Sequence, residues 1–140
     1  MFLEVLVYIL TPLAAVVVVL TRLRLGRDES AGRLRISRQL LLIHTVAGTL
    51  AWLLWVLFLM FSMESFLGGS VMGILALGLW WLTATVGVLI LARWLPARGK
   101  HARPAATDSW SNGPWLSVLA HVGLVVGVLV FTYAYLTSTV

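Results

Sequence analysis

Residues 40–61 read LLLIHTVAGTLAWLLWVLFLMF and contain no formally charged side chain. About twenty residues at a helical rise of about 1.5 Å cross a hydrocarbon core of roughly 30 Å, so this stretch can span a bilayer. It also contains His44, about one and a half turns in from its polar end. Ionisable side chains inside a membrane are rare and mark functional sites by default. The stretch therefore predicts both a transmembrane helix and a site.

The composition of the chain is that of a membrane protein. Its 140 residues are 61% hydrophobic and 11% charged, with a mean hydropathy of +1.01. A soluble domain of this size could not bury so much apolar surface. The absence of cysteine excludes disulfides, thiolate metal sites and iron–sulfur clusters. The net charge is +5, and the basic residues lie in two connections, where membrane orientation explains them better than nucleic-acid binding does.

Apolar runs of this kind recur along the chain. They predict an all-α integral membrane four-helix bundle that occupies residues 1–140 as a single unit. The four transmembrane spans are expected at about residues 3–21, 40–61, 70–92 and 115–136. Pro12 lies inside the first span and is expected to kink it.

The charges predict an orientation. All ten Lys and Arg residues lie in the connections 22–39 and 93–114. The positive-inside rule places both connections in the cytoplasm and both termini outside. The composition, with nine arginines to one lysine, favours a multi-pass protein of a bacterial plasma membrane. His101, beside Lys100 and Arg103, is interpreted as a solvated loop residue.

The fourth span contains His121 at nearly the same distance from its start as His44 in the second. Because both spans run in the same direction, we expect the two imidazoles at matched depth near the cytoplasmic side. Ala47 and Gly48 share the helical face of His44, and Gly87 of the third span lies close to the same depth. Such small residues either allow close helix packing or leave room for a flat ligand.

Two imidazoles limit the choice of ligand. Zinc takes three or four protein ligands, and neither cysteine nor an intramembrane carboxylate lies nearby. Haem takes one or two axial ligands, which neutral imidazoles on opposed helices can supply. Arginines at the inner boundary can pair with its propionates. The sequence therefore predicts haem b with metal ligands His44 and His121, and with contacts from Arg38, Ala47, Gly48, Gly87 and Arg93.

This arrangement resembles, in arrangement only, the membrane-anchor cytochrome b subunits of respiratory enzymes. The resemblance implies an electron-transfer or anchor subunit whose partners are the other membrane subunits and the lipid bilayer. The sequence contains no catalytic constellation, so no enzymatic activity of its own is expected. Gly123 and Gly127 form a GxxxG pair on the predicted far face of the fourth helix from His121, where a partner could dock.

The main alternative is that the histidines are structural. Each could hydrogen-bond across helices, for example to Thr45, Thr83 or Ser117. The chain would then be a cofactor-free accessory subunit that stabilises a larger membrane complex.

Two weaker alternatives remain. Met60, Met63 and Met72 cluster with Glu64 near the outer turn and could bind copper(I), although methionine there is commoner as adaptable packing. Glu4 could be the intramembrane carboxylate of a small multidrug exporter, but the strong charge bias of the connections disfavours this.

Overall fold

A computed structural model of the chain describes residues 1–27, 37–94 and 115–140. These residues form four α-helices: α1 (Phe2–Arg27), α2 (Arg38–Met60), α3 (Ser70–Trp94) and α4 (Trp115–Leu136). Each contains a segment long and apolar enough to cross a membrane. No strand occurs in these three ranges. The predicted all-helical architecture with four apolar helices is thus confirmed.

The first helix is longer than predicted. Arg22 was expected to begin a polar connection, but α1 continues to Arg27. Arginine and leucine are both strong helix formers, so the segment TRLRLGR can extend the helix beyond its apolar part. The other three helices begin and end within two residues of the predicted spans. Residues 28–36 and 95–114 of the two basic connections, including His101, lie outside the described residues.

The helices pack in a closed ring in chain order. α1 contacts α2 and α4, and α3 contacts the same two helices. α2 and α4 therefore lie on one diagonal of the bundle. The buried residues of α2 follow three- and four-residue spacing from Leu41 through His44 to Phe58, so one face of this helix points into the bundle.

One end of the bundle is packed with aromatic rings. The ring of Phe131 lies 5.0 Å from that of Trp55 and 5.8 Å from that of Trp80, between centroids. Phe58 and Tyr135 lie 5.7 Å apart, and the Tyr135 hydroxyl donates to the Ser70 carbonyl at 3.0 Å. Aromatic pairs at such distances add to the stabilisation from burial. We call this the turn end, because the α2–α3 connection lies there, and the opposite end the histidine end.

The α2–α3 connection is a tight turn. α2 closes with the Phe61 N–H bonded to the Leu57 carbonyl. The Ser65 hydroxyl donates to the Ser62 carbonyl and accepts from the Gly68 N–H. A Cβ atom on Gly68 would collide with the carbonyl oxygens of Phe61 and Ser62, so the turn needs glycine there. This short connection makes α2 and α3 antiparallel neighbours.

Candidate functional site: two imidazoles across the bundle

His44 of α2 and His121 of α4 meet across the diagonal of the bundle. Their ring centroids are 6.2 Å apart and the ring planes are inclined at 43°. His44 is fully buried and His121 almost so. Phe58 and Tyr135 also have their rings in contact across the same two helices. Both pairs are separated by the same number of residues along the chain, so α2 and α4 run in the same direction. The structure therefore brings the two predicted ligands together at one level.

Gly87 of α3 lies against both rings. A Cβ atom built on Gly87 would be 2.9 Å from Cδ2 of His121 and 3.2 Å from Nε2 of His44. The Nε2–Cδ2 edge of His44 and the Cδ2 atom of His121 thus face α3 at this glycine. No larger residue fits there unless a ring moves.

The orientation of His121 is set by its own helix. Its Nδ1 lies 2.8 Å from the carbonyl oxygen of Ser117. A carbonyl can only accept, so Nδ1 carries the proton, and the lone pair of the neutral ring is on Nε2. Metal-binding histidines commonly donate their other N–H to a carbonyl in this way. The sequence predicts Ser117 as a possible partner across helices, whereas this bond lies within α4, at the i−4 spacing.

His44 is in a different position. Both of its ring nitrogens are buried, and neither has a hydrogen-bond partner among the described residues. The hydroxyls of Thr45 and Thr83, considered above as partners, donate to the carbonyls of Leu41 and Leu79 in their own helices, each at 2.8 Å. A buried polar group without a partner costs about 1–3 kcal/mol. His44 thus makes no hydrogen bond to the described residues through either ring nitrogen.

The spacing of the rings suits a shared metal. With metal–nitrogen bonds of about 2 Å and a ring radius of roughly 1.1 Å, two imidazoles on opposite sides of one metal have centroids roughly 6 Å apart. The observed separation is 6.2 Å. Within residues 1–27, 37–94 and 115–140, no group of three or more His, Cys, Asp or Glu could hold a metal ion. Two imidazoles alone are the donor set of a six-coordinate haem.

The packing of α3 leaves no space for a macrocycle between the two imidazoles. Because the imidazole edges contact Gly87, a porphyrin centred between the rings would overlap α3 in this packing. The centroid distance between the two imidazoles is therefore compatible with two axial bonds, whereas a macrocycle between them would require α3 to move.

The other predicted contacts lie around this pair. Ala47 and Gly48 are buried on the face of His44, but a Cβ on Gly48 would lie 2.6 Å from Cγ2 of Val18, so α1 packs closely there. Arg38 begins α2, and Arg93 lies in the last turn of α3. Each is six residues beyond the histidine level, about 9 Å along its helix. Their roles in binding a cofactor stay predictions.

The residues proposed for a copper site or an exporter differ in their exposure. Met60 and Met63 are largely exposed, whereas Met72 is buried in the core. Glu4 is exposed in the first turn of α1. These positions add nothing that favours a copper site or an exporter.

Comparison with known proteins supplies no precedent for the site. No family model matches the chain, and no curated protein or solved structure matches it either.

Proposed function

We propose that this chain binds one haem b between His44 and His121 and serves as an electron-transfer or anchor subunit of a bacterial respiratory complex. The observation that carries the proposal is the imidazole pair: two buried rings on diagonal helices, 6.2 Å apart between centroids. Burying histidines in an apolar bundle is costly, and coordination would satisfy one of the two ring nitrogens that His44 leaves without hydrogen bonds among the described residues.

When bound, the haem supplies one-electron redox chemistry. The residues of the chain then have distinct roles. His44 and His121 would hold the haem iron between them, and a haem held by two imidazoles would supply electron transfer rather than ligand activation. The Ser117 carbonyl orients His121 and raises the basicity of its Nε2. Arg38 and Arg93, which belong to the histidine ends of their helices, would pair with the propionates.

The assignment to a larger complex rests on what the chain contains. Most of its length is in four apolar helices, and the sequence offers no catalytic constellation. In the proposed topology the histidine end faces the cytoplasm, because the basic connections lie at that end. Electrons would reach the haem from a partner subunit on either side of the membrane.

A second candidate function is a cofactor-free accessory subunit. The observation that favours it is the contact of Gly87 with both imidazoles, since a bundle that closes around its histidines needs no ligand to fill the space. Here the histidines contribute packing, and His121 its bond to Ser117. The two candidates differ in whether the purified protein is red.

The deciding experiment is a pyridine haemochrome assay on the protein purified from its native membrane. About one haem per chain, with a low-spin reduced spectrum that carbon monoxide does not change, supports the proposed haem. His44→Ala and His121→Ala are each expected to abolish that spectrum or convert it to a high-spin form. A colourless wild-type protein would exclude the haem and leave the accessory role.

A further inference from the structure

The position between the two imidazoles suits an occupant of atomic size. Gly87 packs against both rings, so the closed bundle has no room there for a large group. Rings of radius roughly 1.1 Å at a centroid distance of 6.2 Å leave roughly 4 Å between nitrogens that face each other. This gap is twice a metal–nitrogen bond of about 2 Å. A bare ion therefore fits between the rings without any movement of α3.

The lone pairs of the two rings can reach that position. The bond from Nδ1 of His121 to the Ser117 carbonyl leaves the lone pair of this ring on Nε2. Nε2 is bonded to Cδ2, and Cδ2 lies 2.9 Å from the position that a Cβ would take on Gly87. Nε2 of His44 lies 3.2 Å from the same point. Both rings can therefore present an Nε2 lone pair to one ion.

The number of ligands limits the choice of ion. Among residues 1–27, 37–94 and 115–140, no group of three or more His, Cys, Asp or Glu could hold a metal ion, so the pair supplies two ligands. Zinc takes three or four protein ligands, and magnesium and calcium take six or more oxygens. Imidazole is a good ligand for copper, and a cuprous ion is stable with two nitrogens in a line. Such a line sets no angle between the ring planes, which are inclined at 43°.

The charge of the surroundings favours a monovalent ion. The three helices that meet at the site, α2, α3 and α4, contain no Asp or Glu. A divalent ion between two neutral imidazoles would keep two charges in a buried apolar site, and the cost of burying an ion rises steeply with its charge. A cuprous ion keeps one charge. Potassium carries the same charge but is bound by carbonyl oxygens.

We infer that, in the bundle without haem, Nε2 of His44 and Nε2 of His121 bind one cuprous ion in a two-coordinate site. His44 is fully buried and His121 almost so, which keeps water and other ligands away from the ion. The inference goes beyond the proposed function, because it needs neither a macrocycle nor a change in the packing of α3. Haem and copper would use the same two nitrogens, so one chain binds one or the other.

A copper titration of the purified, haem-free full chain tests this site. Cu(I) is supplied with ascorbate and buffered by the chelator bicinchoninate, whose coloured cuprous complex fades as the protein takes the ion. The expected result is one copper per chain, with an X-ray absorption spectrum of two nitrogen neighbours at about 2 Å. A spectrum of sulfur neighbours would place the copper on methionines and overturn the inference. The haemochrome assay does not report this ion, because Cu(I) is colourless.

Substitutions identify the ligands. His44→Leu and His121→Ala are each expected to lose the tightly bound copper, since one imidazole remains. His101→Ala is the matched control, because it removes the third histidine of the chain, and it is expected to bind copper like the wild type. Met63→Leu removes a thioether that is 65% exposed and should also leave binding unchanged. Copper retained by both histidine variants would overturn the inference. The wild-type absorption spectrum tests it even where a variant fails to fold.

The outcomes separate this inference from the proposed function. A chain that binds copper through both histidines but takes up no haemin retains the inference and excludes the haem. A chain that takes up one haem between the histidines but no copper retains the proposed function and overturns the inference. If the chain binds both, haemin added to the copper-loaded protein is expected to release one copper per haem. Copper that stays bound would lie elsewhere, which also overturns the inference.

Discussion

The Cβ position of Gly87 lies 2.9 Å from Cδ2 of His121. Real Cβ atoms essentially never approach another heavy atom below 3.0 Å. The glycine is thus a point at which α3 packs directly against the imidazole pair, and it links the packing of the bundle to the geometry of the site. Any atom added there must displace a ring or move a helix.

The first prediction concerns this glycine. Gly87→Ala is expected to lower the free energy of unfolding by roughly 1–3 kcal/mol, the usual cost of overpacking, and to perturb any haem spectrum. The matched control is Gly78→Ala in the same helix, where a Cβ meets no described atom within 4 Å. Alanine there is expected to stabilise the helix by about 0.5–1 kcal/mol. Thermal unfolding in mild detergent measures both, and equal unfolding temperatures for the two variants would contradict the packing described.

The second prediction separates the two candidate functions. His44→Leu replaces a buried imidazole whose nitrogens lack partners in the described chain by an apolar side chain. In a cofactor-free bundle this should raise the unfolding temperature, because an unsatisfied polar group is removed. In a haem protein it should lower that temperature and remove the low-spin spectrum, because a bound ligand stabilises the folded state. A retained spectrum with two axial imidazoles would rule out His44 as a ligand.

The helices were predictable because they follow from local properties of the sequence. The length and apolar character of a span are fixed by about twenty consecutive residues, and α2, α3 and α4 begin and end close to the expected positions. The end of α1 could not be predicted from hydropathy, because arginine is a polar residue and also a good helix former. Its polarity predicts the end of the membrane span, whereas its helix propensity allows the helix to continue.

The site was predictable only in part. The direction of the spans indicated that His44 and His121 lie at one level, since depth in a bundle follows from distance along each helix. Which glycine touches the rings depends on how the helices rotate against one another. Gly48 and Gly87 look alike in the sequence, yet Val18 packs on the first and the imidazoles on the second. The bond from His121 to Ser117 has a local signal in the sequence, because the two residues are four apart in one helix.

The third prediction concerns orientation, which the charges of the connections indicate. Cysteines at Ser30 and Thr107, in basic connections outside the described residues, are expected to resist an impermeant thiol reagent in intact cells. A cysteine at Met63 should react, because this side chain is 65% exposed in the turn. Met63 is preferred to Ser65, whose hydroxyl holds the turn together. Labelling of the two connections without labelling of Met63 would invert the topology and place the histidine end outside.

The fourth prediction concerns the docking of a partner subunit on α4. Of the GxxxG pair, Gly123 is exposed and Gly127 is buried, and a Cβ on either meets no described atom within 4 Å. If the exposed glycine admits a neighbouring helix, Gly123→Leu should release the partner during purification in mild detergent and leave the haem signal unchanged. Val122→Leu is the control, since this exposed residue lies about 100° away around the helix. Loss of haem with the partner still bound would mean that the face of Gly123 belongs to the cofactor site, and that the docking surface lies elsewhere on the bundle.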